Sequence, residues 1–199
     1  MAEPALVGLA LAGGRSSRFG GEKSAARLYG TMLLELAVRR LEEACAAVAV
    51  SAPPGSEAEQ IALGLGAPVL PDPPGAPKGP LVGVCAGLRW AREQGAGRLA
   101  VLPCDLPLLP QGLVARLAGA LGAADGAAAA RSPDGLQPLC VVLRVETYEG
   151  LAAQLEQGEH PPVQAWLRRV GLREVAFDDA GAFVNVNTRA DLARLGGGA

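Results

Sequence analysis

Histidine is nearly missing from this chain: His160 is the single one in 199 residues. The four cysteines, Cys45, Cys85, Cys104 and Cys140, are scattered and follow no paired-ligand spacing, so no Cys/His zinc cluster is readable. A reducing, cytoplasmic setting is the plain expectation. Aromatic residues make up only 4% and the net charge is −2, so nothing in the composition supports a nucleic-acid surface. Long hydrophobic runs are missing too. Glycine, proline or charge interrupts each apolar segment before it reaches membrane-spanning length, and no membrane partner is expected. The start, Met1-Ala2-Glu3-Pro4, carries no basic region, so the apolar stretch after it reads as a first strand rather than an export signal. What is there is small and aliphatic. Hydrophobic residues reach 50%, enough for a substantial core in one medium domain or a tightly joined pair. The 27 glycines and 16 prolines fall mostly between apolar runs, as turn punctuation.

The most informative stretch is Leu9-Ala10-Leu11-Ala12-Gly13-Gly14-Arg15-Ser16-Ser17-Arg18-Phe19-Gly20-Gly21-Glu22-Lys23. An apolar strand empties into a glycine-rich loop, and a Gly-Gly pair directly after a strand lets backbone N–H groups approach an anion because no Cβ intervenes. Arg15, Arg18 and Lys23 add cationic partners for phosphate oxygens. The loop is neither a Walker A motif, since Glu22 separates Gly21 from Lys23, nor a Gly-x-Gly-x-x-Gly dinucleotide fingerprint. A glycine-rich connection with solvated charges is the alternative to a nucleotide-phosphate site.

Apolar spacing of three and four residues predicts helices over 32–44, 56–63, 81–94, 113–121, 147–155, 163–170 and 189–194. Short apolar runs predict strands over 6–12, 46–51, 68–70, 98–103, 126–130, 139–143 and 172–176, and the alternation of Asn185 and Asn187 predicts one more over 183–188. Ser56 is the expected N-cap of its helix. Alternating strands and helices predict an α/β sandwich with a mainly parallel sheet, whose ligand crevice lies beyond the carboxyl ends of the strands. Gly83 and Gly87, four apart on one helix, permit either close packing on the sheet or room for a nucleotide near the helix start.

The glycine-rich loop, Asp72 and Asp105 each follow a predicted strand and converge on that edge. Asp105 there suits Mg²⁺ bound also to phosphates, or else caps the following helix. Asn185 and Asn187 pointing to one side suit a polar ligand, or else bond their own backbone. Arg18 and Lys23 suit the neutralisation of a triphosphate and its pyrophosphate leaving group, a transfer that rests on positioning and charge and needs no protein nucleophile. Glu22 is assigned to a neighbouring base and not to metal, His160 to a surface turn, Cys104 and Cys140 to the core, and Trp90 and Trp166 to helix–sheet packing.

The ordered set of blocks resembles the molybdenum cofactor guanylyltransferases, the MobA-like nucleotidyltransferases. The blocks are Leu11-Ala12-Gly13-Gly14-Arg15-Ser16-Ser17-Arg18-Phe19-Gly20 with Lys23, Gly79-Pro80-Leu81-Val82-Gly83, Pro103-Cys104-Asp105-Leu106-Pro107 and Phe183-Val184-Asn185-Val186-Asn187-Thr188. The resemblance spans nearly the whole chain. It implies a three-layer, Rossmann-like nucleotidyltransferase fold over 1–199 as one domain, with a nucleotide-binding half over about 1–109 and an acceptor-binding half over 110–199. The implied reaction is Mg²⁺-dependent transfer of GMP from GTP to molybdenum-molybdopterin, forming the guanine dinucleotide cofactor and pyrophosphate. By position, Leu11, Ala12, Gly13, Gly14, Ser51 and Asp72 would contact the nucleotide, Arg18 and Lys23 its phosphates, and Asp105 the Mg²⁺. Gln137, Asn185 and Asn187 would lie on the acceptor side, with Asn187 also approaching the metal. The other implied partners are molybdenum cofactor biosynthesis proteins and recipient molybdoenzymes or their chaperones.

A related cytidylyltransferase acts on the same acceptor with a Leu-Ala-Ala-Gly loop, so Gly13, Cys104 and the Phe-Val-Asn-Val-Asn block point to guanine here. Cytidylyl transfer from CTP and a non-catalytic nucleotide-binding regulator are the alternatives. The chain departs from the family at Phe19, at Glu22 and at His160-Pro161-Pro162, where relatives often carry basic residues; Arg131, Arg168 and Arg169 are the candidate replacements.

Overall fold

The computed structural model describes residues 5–12, 22–72 and 79–196. The central strand is β1 (Leu6–Leu11), buried at every position. Its side chains divide between the two faces: Leu6 and Ala10 enter one core, Val7, Leu9 and Leu11 the other. That double burial is why the strand reads as a continuous apolar run rather than an alternation. β4 (Val48–Ser51) and β6 (Arg98–Pro103) flank it, both parallel, and β5 (Val69–Leu70) extends the sheet outward from β4. Beyond β6 come β8 (Gly135–Arg144), β7 (Ala127–Ser132) and β9 (Leu172–Ala176), giving the order β5-β4-β1-β6-β8-β7-β9. β8 runs antiparallel to both of its neighbours, and the other strands share one direction. The mainly parallel sheet expected from the sequence is present.

Helices cover both faces. α1 (Leu33–Glu42), α2 (Glu57–Gly64) and α4 (Leu113–Ala120) pack on one side through Leu34, Leu41, Ala58, Ala62 and Leu117. On the other side lie α3 (Pro80–Glu93), α5 (Tyr148–Glu156) and α6 (Val163–Arg169), carrying Leu88, Trp90, Leu151 and Trp166. Both tryptophans fill the core, as their helix–sheet assignment anticipates. Ser56 caps α2, its hydroxyl accepting from the Glu59 amide at 3.1 Å. His160 is exposed between α5 and α6. None of the helices among the described residues is long and apolar enough to cross a membrane.

The two glycines of α3 serve close packing. A Cβ on Gly87 would lie 2.6 Å from Leu9 Cδ2, and one on Gly83 would lie 2.6 Å from Ser51 Oγ and 3.0 Å from Leu11 Cδ2. Ser51 is buried, so its hydroxyl has little room to yield. Gly83→Ala is expected to lower stability by about 1–3 kcal/mol through overpacking, seen as a lower denaturant midpoint at unchanged slope.

Two parts of the chain differ from the sequence reading. A small hairpin, β2 (Arg27–Leu28) and β3 (Thr31–Met32), precedes α1 where no strand was expected. Residues 183–188 do not form a strand: a 3-10 turn, Gly181–Phe183, is followed by irregular chain up to α7 (Arg189–Gly196). The reason is where the backbone donors go. Val186 N–H donates to the Asp105 carbonyl at 2.9 Å, and the Asn187 and Thr188 amides donate to the Asp191 carboxylate at 3.0 and 2.8 Å. Spent on a neighbouring loop and a helix start, they are not available to a sheet ladder. Val186 is fully buried against Leu28 and Leu33, with Leu192 and Leu195 of α7 packed on the same cluster. The hairpin and the C-terminal helix therefore hold one another.

Candidate active site

The carboxyl ends of β5, β4, β1 and β6 open onto one edge of the sheet. There the ladder runs slightly past the strands, with Ala12 N–H donating to the Ser51 carbonyl at 3.0 Å and Cys104 N–H to the Leu11 carbonyl at 3.1 Å. These bonds fix the exit of β1 relative to both neighbours, and so the start of the glycine-rich loop. Asp105 follows β6 directly after Cys104. Its side chain is 28% exposed, and its Oδ2 lies 3.5 Å from Lys23 Nζ. Lys23 opens the 3-10 turn Lys23–Ala25, just past the loop. Its ammonium also donates to Asn187 Oδ1 at 2.6 Å. Three residues far apart in the chain thus meet at one corner: the end of the loop, the end of β6 and the stretch before α7.

Backbone contacts brace this corner from two sides. The Val186 amide holds the Asp105 carbonyl. Glu22, next to Lys23, accepts from the Ala58 amide at 3.0 Å and from Ser24 Oγ at 3.4 Å, tying the chain after the loop to the N-terminal turn of α2. A neighbouring base was the partner expected for Glu22; among the described residues its partners are an amide and a hydroxyl, because a helix start offers unpaired N–H groups. At α7, Thr188 Oγ1 accepts from the Asp191 amide at 3.1 Å while the Asp191 carboxylate takes the two amides named above, a reciprocal capping box. The Thr188 hydroxyl, then the Asn187 amide, hold the Asp191 carboxyl below its usual range. Sequence reasoning missed this pair, although Thr188-x-x-Asp191 ahead of a helix is a readable signal.

The remaining candidates are placed as follows. Ser51 is buried beneath Gly83, while Asp72 is exposed just beyond β5. Gln137 lies on β8, in the part that extends past its last paired position with β6, Val101↔Val141, toward the same edge. Its Nε2 donates to Ser132 Oγ at 3.0 Å. The pairing of β7 with β8 shifts between Ala129↔Val141 and Ala130↔Gln137, so Pro138, Leu139 and Cys140 fall between them. Pro138 has no N–H to give a ladder, and such an irregularity re-aims the side chains beside it. Asn185 is exposed. Arg131 pairs with Glu174, and Arg168 and Arg169 are exposed at the end of α6. Gly13, Gly14, Arg15, Arg18 and Phe19 lie outside the described residues.

Cys104 and Cys140 are buried in the core beneath this edge. Burial, reinforced by the Asp105 carboxylate, pushes the Cys104 thiol up to about 12, and burial also raises that of Cys140. Neither is a thiolate near neutral pH, so neither supplies a nucleophile.

A three-layer α/β fold with a lysine after a glycine-rich loop and an aspartate at the next strand end defines a nucleotide-handling protein. Residues 8–175 match the family model described as the MobA-like NTP transferase domain. The chain is 40% identical over 191 residues to the molybdenum cofactor guanylyltransferase of Cereibacter sphaeroides, covering 95% of this chain and 94% of that one. It is also 40% identical over 203 residues to the molybdenum cofactor guanylyltransferase of Burkholderia vietnamiensis, covering 96% of each. Among solved structures, molybdopterin-guanine dinucleotide biosynthesis protein A from Archaeoglobus fulgidus superposes with a TM-score of 0.77 at 22% identity, over 96% of this chain and 97% of that one. The chain belongs to the MobA-like nucleotidyltransferases, within the molybdenum cofactor guanylyltransferases.

Proposed function

We propose that this chain transfers GMP from GTP to the terminal phosphate of molybdenum-molybdopterin, with Mg²⁺, in the cytoplasm. The observation that carries the reading is the meeting of Lys23, Asp105 and Asn187, which come from three of the four blocks of the family pattern. In this reading one nucleotidyltransferase domain divides in function. Residues 1–109, with β1, β4, β5 and β6, take the nucleotide, and residues 110–199, with β7, β8, β9 and α7, take the acceptor.

An acceptor phosphate oxygen attacks the α-phosphorus of GTP, the bond to the bridging oxygen breaks, and pyrophosphate leaves. The acceptor is already anionic and needs no strong general base. The Lys23 ammonium, on a side chain 14% exposed, neutralises charge on the phosphates, exchanging Asp105 for a phosphate oxygen as the nucleotide enters. Arg18 supplies a second cation. Asn187, held to Lys23, sits where the two substrates meet, with Asn185 and Gln137 on the acceptor side. Asp72, Ser51 and the Leu11-Ala12-Gly13-Gly14 run border the nucleotide.

Asp105 is the residue that would hold the metal. Among the described residues no three His, Cys, Asp or Glu side chains cluster. That absence fits Mg²⁺, which is usually bound by one or two protein carboxylates and completed by phosphate oxygens and water. When bound there it would act as a Lewis acid and offset the charge that develops on transfer.

The test is pyrophosphate release from GTP, CTP and ATP with molybdenum-loaded molybdopterin and Mg²⁺. Turnover with GTP, dependent on acceptor and metal, is expected. Turnover with CTP but not GTP would move the assignment to cytidylyl transfer. GTP binding without acceptor-dependent turnover would make the chain a nucleotide-binding regulator.

A further inference from the structure

We infer that Asp191 is a positioning residue for the transfer, setting Asn187 against Lys23 and Asp105 from the first turn of α7. The inference rests on the proposed role of that corner and adds a residue to it. Asp191 Oδ2 accepts from both the Asn187 amide, at 3.0 Å, and the Thr188 amide, at 2.8 Å. Asn187 is thus gripped at its backbone by Asp191 while its side-chain oxygen receives Lys23 at 2.6 Å. The residue before it, Val186, is pinned twice, by its amide on the Asp105 carbonyl at 2.9 Å and by its fully buried side chain.

Because 183–188 is not a strand, no ladder fixes where Asn187 points. The Asp191 carboxylate fixes it instead. Its other oxygen, Oδ1, pairs with Arg194 on the outer face of the helix and takes no part in the grip. α7 is itself anchored to the hairpin that follows Lys23, by Leu192 and Leu195 in the Leu28–Leu33–Val186 cluster and by Tyr29 OH donating to the Leu195 carbonyl at 2.6 Å. This second attachment keeps the helix docked when the cap is lost, so the effect of removing Asp191 is confined to the turn that carries Asn187.

The experiment is a double-mutant cycle between Asp191→Ala and Asn187→Ala in the full chain, with Asp191→Asn and Arg194→Ala as companions. Asp191→Ala is expected to lower kcat by about 10- to 100-fold, the range seen when a residue orienting a reacting group is lost, with the KM for GTP changed less than threefold. Asp191→Asn keeps an oxygen for both amides and should recover most of that loss. Arg194→Ala, which touches only Oδ1, should turn over like the parent protein. In the Asn187→Ala background, Asp191→Ala should add nothing. Additive losses in the cycle, or Asp191→Ala turning over within twofold of the parent, would overturn the inference. So would Asp191→Asn as impaired as Asp191→Ala.

A readout independent of turnover separates this inference from the assigned reaction. The Asn187 side-chain amide resonances in a ¹⁵N spectrum should shift in Asp191→Ala and stay in place in Arg194→Ala. If the parent chain uses CTP, the cycle is run with CTP. If it transfers nothing, the reaction assignment fails while the resonances still decide whether Asp191 places Asn187, and unmoved resonances would sink the positioning role itself.

Discussion

Asp105→Ala is expected to reduce pyrophosphate release by roughly 10³-fold or more while the protein stays folded. Both halves of that expectation come from where the residue sits. Its carboxylate is at the open edge and part-exposed, not in either core. Its structural contact, the carbonyl that receives the Val186 amide, belongs to the backbone and survives the substitution. Losing a part-exposed pair with Lys23 costs about 1 kcal/mol or less, so thermal unfolding should barely move. Catalysis is different, since Asp105 is the residue proposed to hold the metal and a bound divalent cation would offset the charge that develops on transfer. Asp105→Asn, with a neutral oxygen in the same place, should retain more than Ala but still lose about 10²-fold, because charge rather than shape holds a hard cation. Release measured beside a melting curve checks both. Unchanged turnover in a folded Asp105→Ala protein would remove the residue from the metal role.

Asp105 was legible because its strand is unambiguous. Leu99-Ala100-Val101-Leu102 is apolar on both faces, and Pro103 and Pro107 bracket the exit, so the aspartate falls at a strand end under any sheet order. The parallel core of β1, β4, β5 and β6 could be read for the same reason. What escaped reading is chain whose conformation is set by distant partners. The β2–β3 hairpin has strands of two residues, too short for any periodicity. Its turn, Tyr29-Gly30, takes positive φ at both residues, 50° and 84°, with Tyr where Asn or Asp would have signalled it. Asn185 and Asn187 alternate like a strand, yet the Val186 amide is claimed by the Asp105 carbonyl and those of Asn187 and Thr188 by the Asp191 carboxylate. The alternation was wrong about the backbone that presents the two asparagines.

Gln137 shows the same division. Its segment is assigned to the acceptor side by family pattern alone, and its position in the fold comes from β8 running antiparallel and outlasting β6, which no local spacing encodes. Gly83 could not be decided from spacing either. Two explanations fitted it, and only the 2.6 Å that would separate an added methyl from Ser51 Oγ makes close packing the reason for glycine there.

Lys23→Met should cut kcat/KM for the nucleotide by about 10²- to 10³-fold, with most of the loss in kcat. The partners already in place at this corner explain that division. Lys23 is satisfied by Asp105 and Asn187, so taking up a triphosphate replaces one anionic partner with another and yields little net binding. The gain comes later, when charge accumulates on the departing pyrophosphate and an ammonium set beside it needs no reorganisation. Lys23→Arg should not restore activity. The corner between Asp105 Oδ2 and Asn187 Oδ1 suits a compact ammonium at 3.5 and 2.6 Å, and a planar fork would displace one of the two. The two charges should also be coupled. Removing Lys23 from an Asp105→Ala protein should cost far less than removing it from the parent, because the residues act on one set of phosphate oxygens. Full turnover by Lys23→Met would separate Lys23 from the chemistry and leave its bond to Asn187 a purely structural tie between the turn after the loop and the stretch before α7.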